Sequence, residues 1–344
     1  MEIKKYLKFE DLPQSIIDIE ASLPIFITSD YARMMSKTKK YEVSWYVGYE
    51  NNIPLFIIPF GIKKILFFTK GICLFSSFCL DMNKYTHEVE QEFIDAMVLY
   101  IEKSKCCDWI QQSPNHALFS VIPSGSKSCP FGTFRVNILG TDEDILQQIR
   151  RDERRSIRKA EKEGGIIHFG EDYLDDAFKV IISTLSKAQL STFSKSRVLE
   201  EKKILKDKFI VGVCYHNDIP QSAVIAYRTK HSVYAIYAGS IYKQLRGATN
   251  WLYYDIYKQG SACGAQYFDF VGARMHINKD SKLYRIQQFK RHMGGELIEG
   301  FLWKKVINKP KYFLYSILLG TRYLLKGKKM KGDIIDQEIK RLKL

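Results

Sequence analysis

The sequence predicts a mixed α+β fold: a largely antiparallel sheet, flanking helices and a helical tail. Three observations carry this. Segments with strand-like apolar runs alternate with segments of helical period. Three strand runs follow one another between residues 209 and 239, each bounded by turn or charge signals, as in an antiparallel meander. At 344 residues the chain is long enough for two ordinary domains, or one large one, around a real hydrophobic core.

In the first segment, to about residue 140, Tyr41–Glu50 and Ile53–Ile62 flank Asn51-Asn52, a polar pair suited to a hairpin turn. Pro54 and Pro59 keep the second run from being a central strand over its whole length. Residues 65–80, ILFFTKGICLFSSFCL, are interrupted by Lys70 and rich in β-formers, so they read as buried strands. Between His87 and Lys105, apolar residues at 89, 93, 94, 97, 98 and 101 follow a helical period. Short strands are expected at 117–123 and 134–139, separated by the Gly/Ser/Pro-rich stretch 123–132.

Thr141-Asp-Glu-Asp144 is a capping signature. The helix it opens is expected to run to Gly164-Gly165, with Leu146, Ile149, Ile157 and Ala160 as a thin apolar stripe beside a basic row of Arg150, Arg154 and Arg158. Helices about 172–189 and 196–206 precede the meander Phe209–Tyr215, Gln221–Thr229 and Val233–Gly239. A helix Gly247–Gln259 stopped by Gly260, a strand Gln266–Val271, a helix Asp280–Met293 and a strand Leu297–Trp303 complete the order α-α-β-β-β-α-β-α-β.

Apolar residues make up 46% of the chain and charged residues 26%, which excludes a disordered chain. The 53 Lys+Arg against 38 Asp+Glu leave a formal charge of +15, pointing to nucleic acid, a phosphorylated substrate or a membrane surface. That charge is uneven: residues 301–344 hold 12 basic and 3 acidic side chains, a net of +9 against +6 for the other 300. Seven cysteines with no repeated C-x-x-C argue against a secreted disulfide framework, and Cys106-Cys107 lack partners at metal-ligand spacing, so no metal is expected. No signal peptide is visible and no run reaches the ~20 apolar residues of a membrane span, so a cytoplasmic location is expected.

The element order of the second half resembles the GNAT N-acyltransferases. More specifically, RRSIRKAEKEGG (154–165), IYAGSIYKQLRGATNWLYYDIYKQG (236–260), YFDFVG (267–272) and QFKRHMGGEL (288–297) resemble, in order and spacing, the Fem family. These are peptidyltransferases that add amino acids to peptidoglycan precursors, with relatives in envelope-polysaccharide gene sets. The first half is similar only in outline: PIFITSDYARMM (24–35) resembles an early family segment, and TFRVNIL (133–139) the strand leading into the second half. The resemblance implies two tandem GNAT-like domains: a degenerate one at 1–140 and a catalytic one at 141–305, followed by a basic amphipathic helical tail at 306–344.

It also implies site residues. Lys290, in the last turn of its helix, resembles the family's active-site lysine and would stabilise an oxyanion or leaving group. A lysine facing the negative end of its own helix is the plain alternative. Asp269, a carboxylate in an aromatic strand, would accept the amine proton or orient Lys290, or else form a structural ion pair. Arg154 and Arg158 are similar in position to basic residues near acceptor phosphates, or form a solvated face. Tyr237, Ser240 and Tyr242 would line the cleft at the end of the third meander strand. Gln244, Arg246, Gly247, Ala248 and Thr249 resemble the family's pyrophosphate loop, with Thr249 where a small residue is expected.

The implied activity is N-acyl or aminoacyl transfer to an amino group of a nucleotide- or lipid-linked envelope precursor. No tightly bound cofactor is expected, and the donor is open between acyl-CoA and aminoacyl-tRNA, with tRNA a partner in the second case and DNA in neither. The rival reading keeps the fold without catalysis, as a basic RNA-binding or membrane-docking protein. Residues 312–325, YFLYSILLGTRYLL, are bracketed by Lys304, Lys305, Lys309 and Lys311 before and Lys326, Lys328, Lys329 and Lys331 after. They form either a helix peripheral on an anionic membrane, at its inner face, or a terminal helix docked on the protein.

Overall fold

Asn51 and Asn52 both adopt positive φ (48° and 64°), the conformation a two-residue hairpin turn demands. The computed structural model, which describes residues 1–325, 327 and 332–342, pairs Glu42–Glu50 with Ile53–Ile65 antiparallel on either side of that turn. This hairpin lies in the first of two units, Met1–Asp18, Met35–Gly132 and Glu299–Leu344; the second is Ile19–Met34 and Thr133–Ile298.

In the first unit Ile53–Ile65 has strands on both edges. Its second edge pairs with Phe78–Cys79 at Phe56 and Ile57 and with Phe68–Cys73 from Phe60 onward. The ladder is interrupted at Ile58 and Pro59, where the proline has no N–H to offer. Phe68–Cys73 continues in parallel to the short strand Trp109–Ile110. Thr86 caps the helix His87–Ser104 by accepting from the Val89 N–H, and the predicted apolar positions Phe93, Ile94, Met97, Val98 and Ile101 are all buried on the sheet. No strand spans 117–123, which keeps a single bridge between Phe119 and Phe301.

The sheet of the second unit runs, edge to edge, from the later part of Lys127–Asn137 through Tyr267–Asp269, Ser232–Ser240, Ile219–Arg228 and Phe209–His216 to Gly165–Phe169. The predicted meander is present, and the pairing of Ser232–Ser240 with Tyr267–Asp269 is parallel amid antiparallel neighbours. Val136, Val224, Val233, Leu252, Ile256, Tyr257 and Phe268 form its core with Ile157 of the arginine-rich helix.

Several boundaries differ from the sequence expectation, each for a local reason. The stretch 123–132, read as a separator, becomes strand from Lys127, because KSCPFGTFRVN buries alternate residues before its continuous run. The units therefore part at 132/133 and 298/299, not near 140 and 305, and the tail packs within the first unit. Residues 19–34 join the second unit: Thr229 Oγ1 donates to the Leu23 carbonyl at 2.7 Å, and Phe26 sets its edge on Tyr234 at 4.6 Å. The capping box of Thr141 and Asp144 forms, but its helix ends at Gln148. Ile149 turns extended to bury its side chain, and a second helix, Arg151–Lys162, follows. Gly260 does not stop its helix, Ala248–Ala262; it is buried where a Cβ would press on Ile138 and Val233 at 2.7 Å. The lysines at 326, 328, 329 and 331 lie outside the described residues.

Candidate functional site

Three residue pairs, Ser232↔Tyr267, Val233↔Phe268 and Tyr234↔Asp269, are the whole extent of the parallel ladder in the second unit. Beyond Tyr234 the longer strand continues to Ser240, held only by Ile219–Arg228 on its other edge. Its register slips there: Ile225 faces Tyr237 and Ala226 faces Ala235, so Ile236 is an extra, bulged residue. A bulge bends its strand and strengthens the twist. Burial follows the parting, from buried Ser232, Val233 and Tyr234 to half-buried or exposed residues through Ser240. The strand edge thus parts from Tyr267–Asp269 beyond Tyr234, and among the described residues no other strand pairs with it there.

The short strand ends in a turn built by Lys290 and Asp269 together. Val271 and Gly272 are both left-handed (φ 53° and 78°), which turns successive carbonyls in new directions. The Lys290 ammonium, from the helix Lys282–His292, donates to the carbonyls of Phe270, Val271 and Gly272 at 3.1, 3.3 and 2.6 Å. Asp269, buried, accepts from Thr133 Oγ1 at 2.6 Å and from the Val271 N–H at 2.8 Å, with Arg135 Nη2 3.6 Å away. The two predicted catalytic residues therefore meet through one turn, Val271 N–H on Asp269 and Val271 C=O on Lys290, without a direct bond. Burial pulls the Lys290 amine down from 10.5 to about 8, against the opposing pull of the Asp269 charge.

The arginine helix abuts the C-terminal end of the lysine helix. Arg150 donates its N–H to the His292 carbonyl at 2.8 Å, and its guanidinium meets His292 Nε2 at 2.9 Å. The other ring nitrogen faces Glu153 at 3.2 Å, and Glu153 also accepts from Asn250 Nδ2 at 2.9 Å. With Nε2 accepting from Arg150, His292 carries its proton on Nδ1 and donates to Glu153. Arg154 bonds Gln147, while Arg158 is exposed. The row thus has one tethered end and one end facing solvent.

The predicted phosphate loop is placed differently from an open anion site. Gly247, left-handed at φ 91°, is the N-cap of Ala248–Ala262, and both Gly247 and Ala248 are buried. A Cβ at 247 would overlap the Ser156 carbonyl of the arginine helix. An acceptor oxygen thus sits over the turn where phosphate oxygens would need donors. Gln244 and Thr249 close on each other at 2.8 Å, and Arg246 alone of the loop's candidates is exposed.

Tyr237 is not an open cleft phenol. Its hydroxyl accepts from Arg197 Nη2 at 2.8 Å and lies 3.3 Å from the fully buried Glu201 carboxylate, which also takes Tyr227 OH and Arg197 Nε, each at 2.8 Å. Burial and the Glu201 charge push the Tyr237 phenol well up. Ser240 meets Thr184 Oγ1 through its backbone, and Tyr242 is 78% exposed. The sequence reading missed Glu201, Arg197, Asn250 and His292. For Glu201 a signal was present: Val198, Glu201 and Leu205 recur at helical spacing, which puts the carboxylate on the apolar face of its helix.

No protein-family model matches the chain, and no curated protein does. Solved structures do. FemX matches at a TM-score of 0.67 and 14% identity, covering 91% of this chain and 99% of that one. The C-terminal domain named for a lysylphosphatidylglycerol synthetase of Agrobacterium fabrum matches at 0.52 and 15%, covering 90% and 96%. A tandem GNAT protein from the clavulanic acid biosynthesis pathway matches at 0.50 and 6%, covering 89% and 99%. At these identities the likeness is one of fold, and it agrees with the parted strand pair and the two units: the chain has the Fem-like, tandem GNAT fold.

Proposed function

We propose that the protein is an N-acyltransferase that moves an aminoacyl group from charged tRNA to an amino group of a nucleotide- or lipid-linked envelope precursor. The observation that carries the reaction class is the strand pair that parts after Tyr234 beside the turn held by Lys290 and Asp269. Backbone groups along such a parted edge can meet the donor's ester-linked aminoacyl carbonyl, and a nearby cation favours the charge that builds on it when the amine attacks. Charged tRNA is preferred over acyl-CoA because the Ser156 carbonyl covers the helix start at Gly247, where a donor pyrophosphate would otherwise be clasped. The exposed Arg158, with Arg154 beside it, suits acceptor phosphate, since a planar guanidinium binds two phosphate oxygens at once. The neighbour named for lysylphosphatidylglycerol synthesis and FemX make an envelope acceptor the natural first choice.

Thermal stability with each donor tests this. A ligand at 100 times its Kd stabilises the folded state by about 2.7 kcal/mol, enough to read as a Tm shift. Charged tRNA is expected to raise Tm and acetyl-CoA to leave it unchanged. The opposite pattern would make the donor acyl-CoA, and no shift from either would remove the transferase reading.

A further inference from the structure

The helix Lys309–Leu325 packs on the first unit by one side only. Tyr312 and Tyr315 set their rings against Trp109 at 5.5 and 4.6 Å, and Tyr315 also meets Phe68 at 5.4 Å. The side facing away is apolar but for Thr321, whose hydroxyl donates to the Ile317 carbonyl at 3.0 Å: Phe313, Leu314, Ile317, Leu318, Leu324 and Leu325 are all exposed, with Phe313 at 68%, Leu324 at 78% and Leu325 at 83%. At about 100° per residue these six fall within roughly 140° of the helix circumference, a single stripe opposite the tyrosines. A helix docked on a water-soluble unit normally turns polar residues outward, and a contiguous apolar stripe marks a binding surface.

The charges around the stripe say what it binds. On the same rotation Lys309 falls on one border, and Lys311 and Arg322 on the other. All three are exposed, Lys311 with an ion pair to Asp108 at 3.1 Å. Among the described residues of the helix there is no acidic side chain. The sequence goes on to Lys326, Lys328, Lys329 and Lys331. An apolar stripe rimmed by cations matches the two layers of an anionic bilayer surface: acyl chains below, phosphate headgroups at the rim. Seventeen residues give a helix of about 25 Å, and no described helix is long and apolar enough to cross a membrane. The helix fits a position along the interface.

We propose that Lys309–Leu325 docks the protein on an anionic lipid bilayer, lying flat with the Phe313–Leu325 stripe among the acyl chains. This goes beyond the acyl-transfer reading and holds whichever donor is used.

The full chain is sedimented with phosphatidylcholine vesicles containing phosphatidylglycerol, and with phosphatidylcholine vesicles alone. Binding is expected to the first, to weaken with added salt, and to fall about tenfold or more in Ile317→Asp/Leu324→Asp and in Lys309→Glu/Arg322→Glu. Both pairs alter exposed positions, so an unchanged Tm shows that the fold survives. Leu325→Trp supplies an independent reading, an emission blue shift on the anionic vesicles only. Equal binding to both vesicle types would overturn the anionic partner. Failure to bind either, or a dimer in sedimentation velocity that Ile317→Asp/Leu324→Asp dissolves, would overturn the membrane as occupant.

Discussion

Lys290→Met removes the ammonium while keeping a long apolar side chain. In the folded protein that ammonium serves the carbonyls of Phe270, Val271 and Gly272. An acceptor left unsatisfied costs ~1–3 kcal/mol, so three together amount to ~3–9 kcal/mol. Removing the charge also removes the penalty of burying it. The fall of the amine from 10.5 to about 8 bounds this at about 3 kcal/mol, at ~1.4 kcal/mol per unit, and partial exposure reduces it. Taking the full relief, the balance is a loss of up to ~6 kcal/mol, centred near ~3 kcal/mol. At that centre a unit of this size loses roughly 6–12 °C of Tm in calorimetry.

The pH dependence gives a second reading of the same group. Between about 8 and 10.5 the unfolded chain holds the Lys290 proton and the folded chain does not. Stability attributable to this group therefore rises with pH across that interval. The wild type should gain on Lys290→Met as pH is raised from 8 toward 10.5. Aminoacyl transfer is expected to fall in the variant as well. A variant with wild-type Tm and no activity would refute the carbonyl-holding role and leave the lysine free to meet substrate. A variant with lower Tm and full activity would remove Lys290 from the chemistry.

Other substitutions probe the surrounding framework. Glu201→Ala leaves Arg197, Tyr227 and Tyr237 without their shared acceptor, and urea unfolding should show a loss of ~3–5 kcal/mol. Gly247→Ala forces a Cβ against the Ser156 carbonyl at a left-handed position, so a loss of at least ~2 kcal/mol is expected by the same method. Thr141→Ala removes the capping box of Asp142–Gln148 and should lower stability by ~1 kcal/mol.

The fold was legible in the sequence wherever one residue's periodicity or turn chemistry decides the outcome. The Asn51-Asn52 hairpin, the helix capped by Thr86 and the meander are of that kind. What escaped was decided by partners far along the chain. Nothing local in DEDILQQIRRDERR announces a break at Ile149, which follows from burying Ile149 and bonding Arg150 to the distant His292. Gly260 looks like a helix stop, yet it is small because Ile138 and Val233 crowd it. The site shows the same division. Lys290 and Asp269 were picked out by their setting, but that they bond the carbonyl and the N–H on either side of the Val271 Cα is a property of the turn. The loop at Gln244–Thr249 resembles a phosphate cradle in its residues, and only the structure shows the Ser156 carbonyl packed against Gly247.

Basic residues in this chain do three physically distinct things, which net charge alone conflates. Lys290 is drawn inward, where backbone carbonyls compensate it and burial weakens its hold on a proton. The arginine row is graded: Arg150 is fixed to His292, Arg154 to Gln147, and Arg158 faces solvent, so its outer end is the part available to a mobile anion. Lys309, Lys311 and Arg322 border an exposed apolar stripe, where, in the docking proposed above, a cation gains by meeting headgroups and cannot be replaced by a neutral polar group without losing that term. These uses differ in their response to salt. Screening reaches exposed charges and largely spares a buried one. Raising ionic strength should therefore weaken vesicle binding and acceptor recognition while leaving the stability difference between wild type and Lys290→Met almost unchanged. A difference that shrinks with salt in step with vesicle binding would mean that the Lys290 ammonium is solvent-accessible, and would contradict its place in the turn.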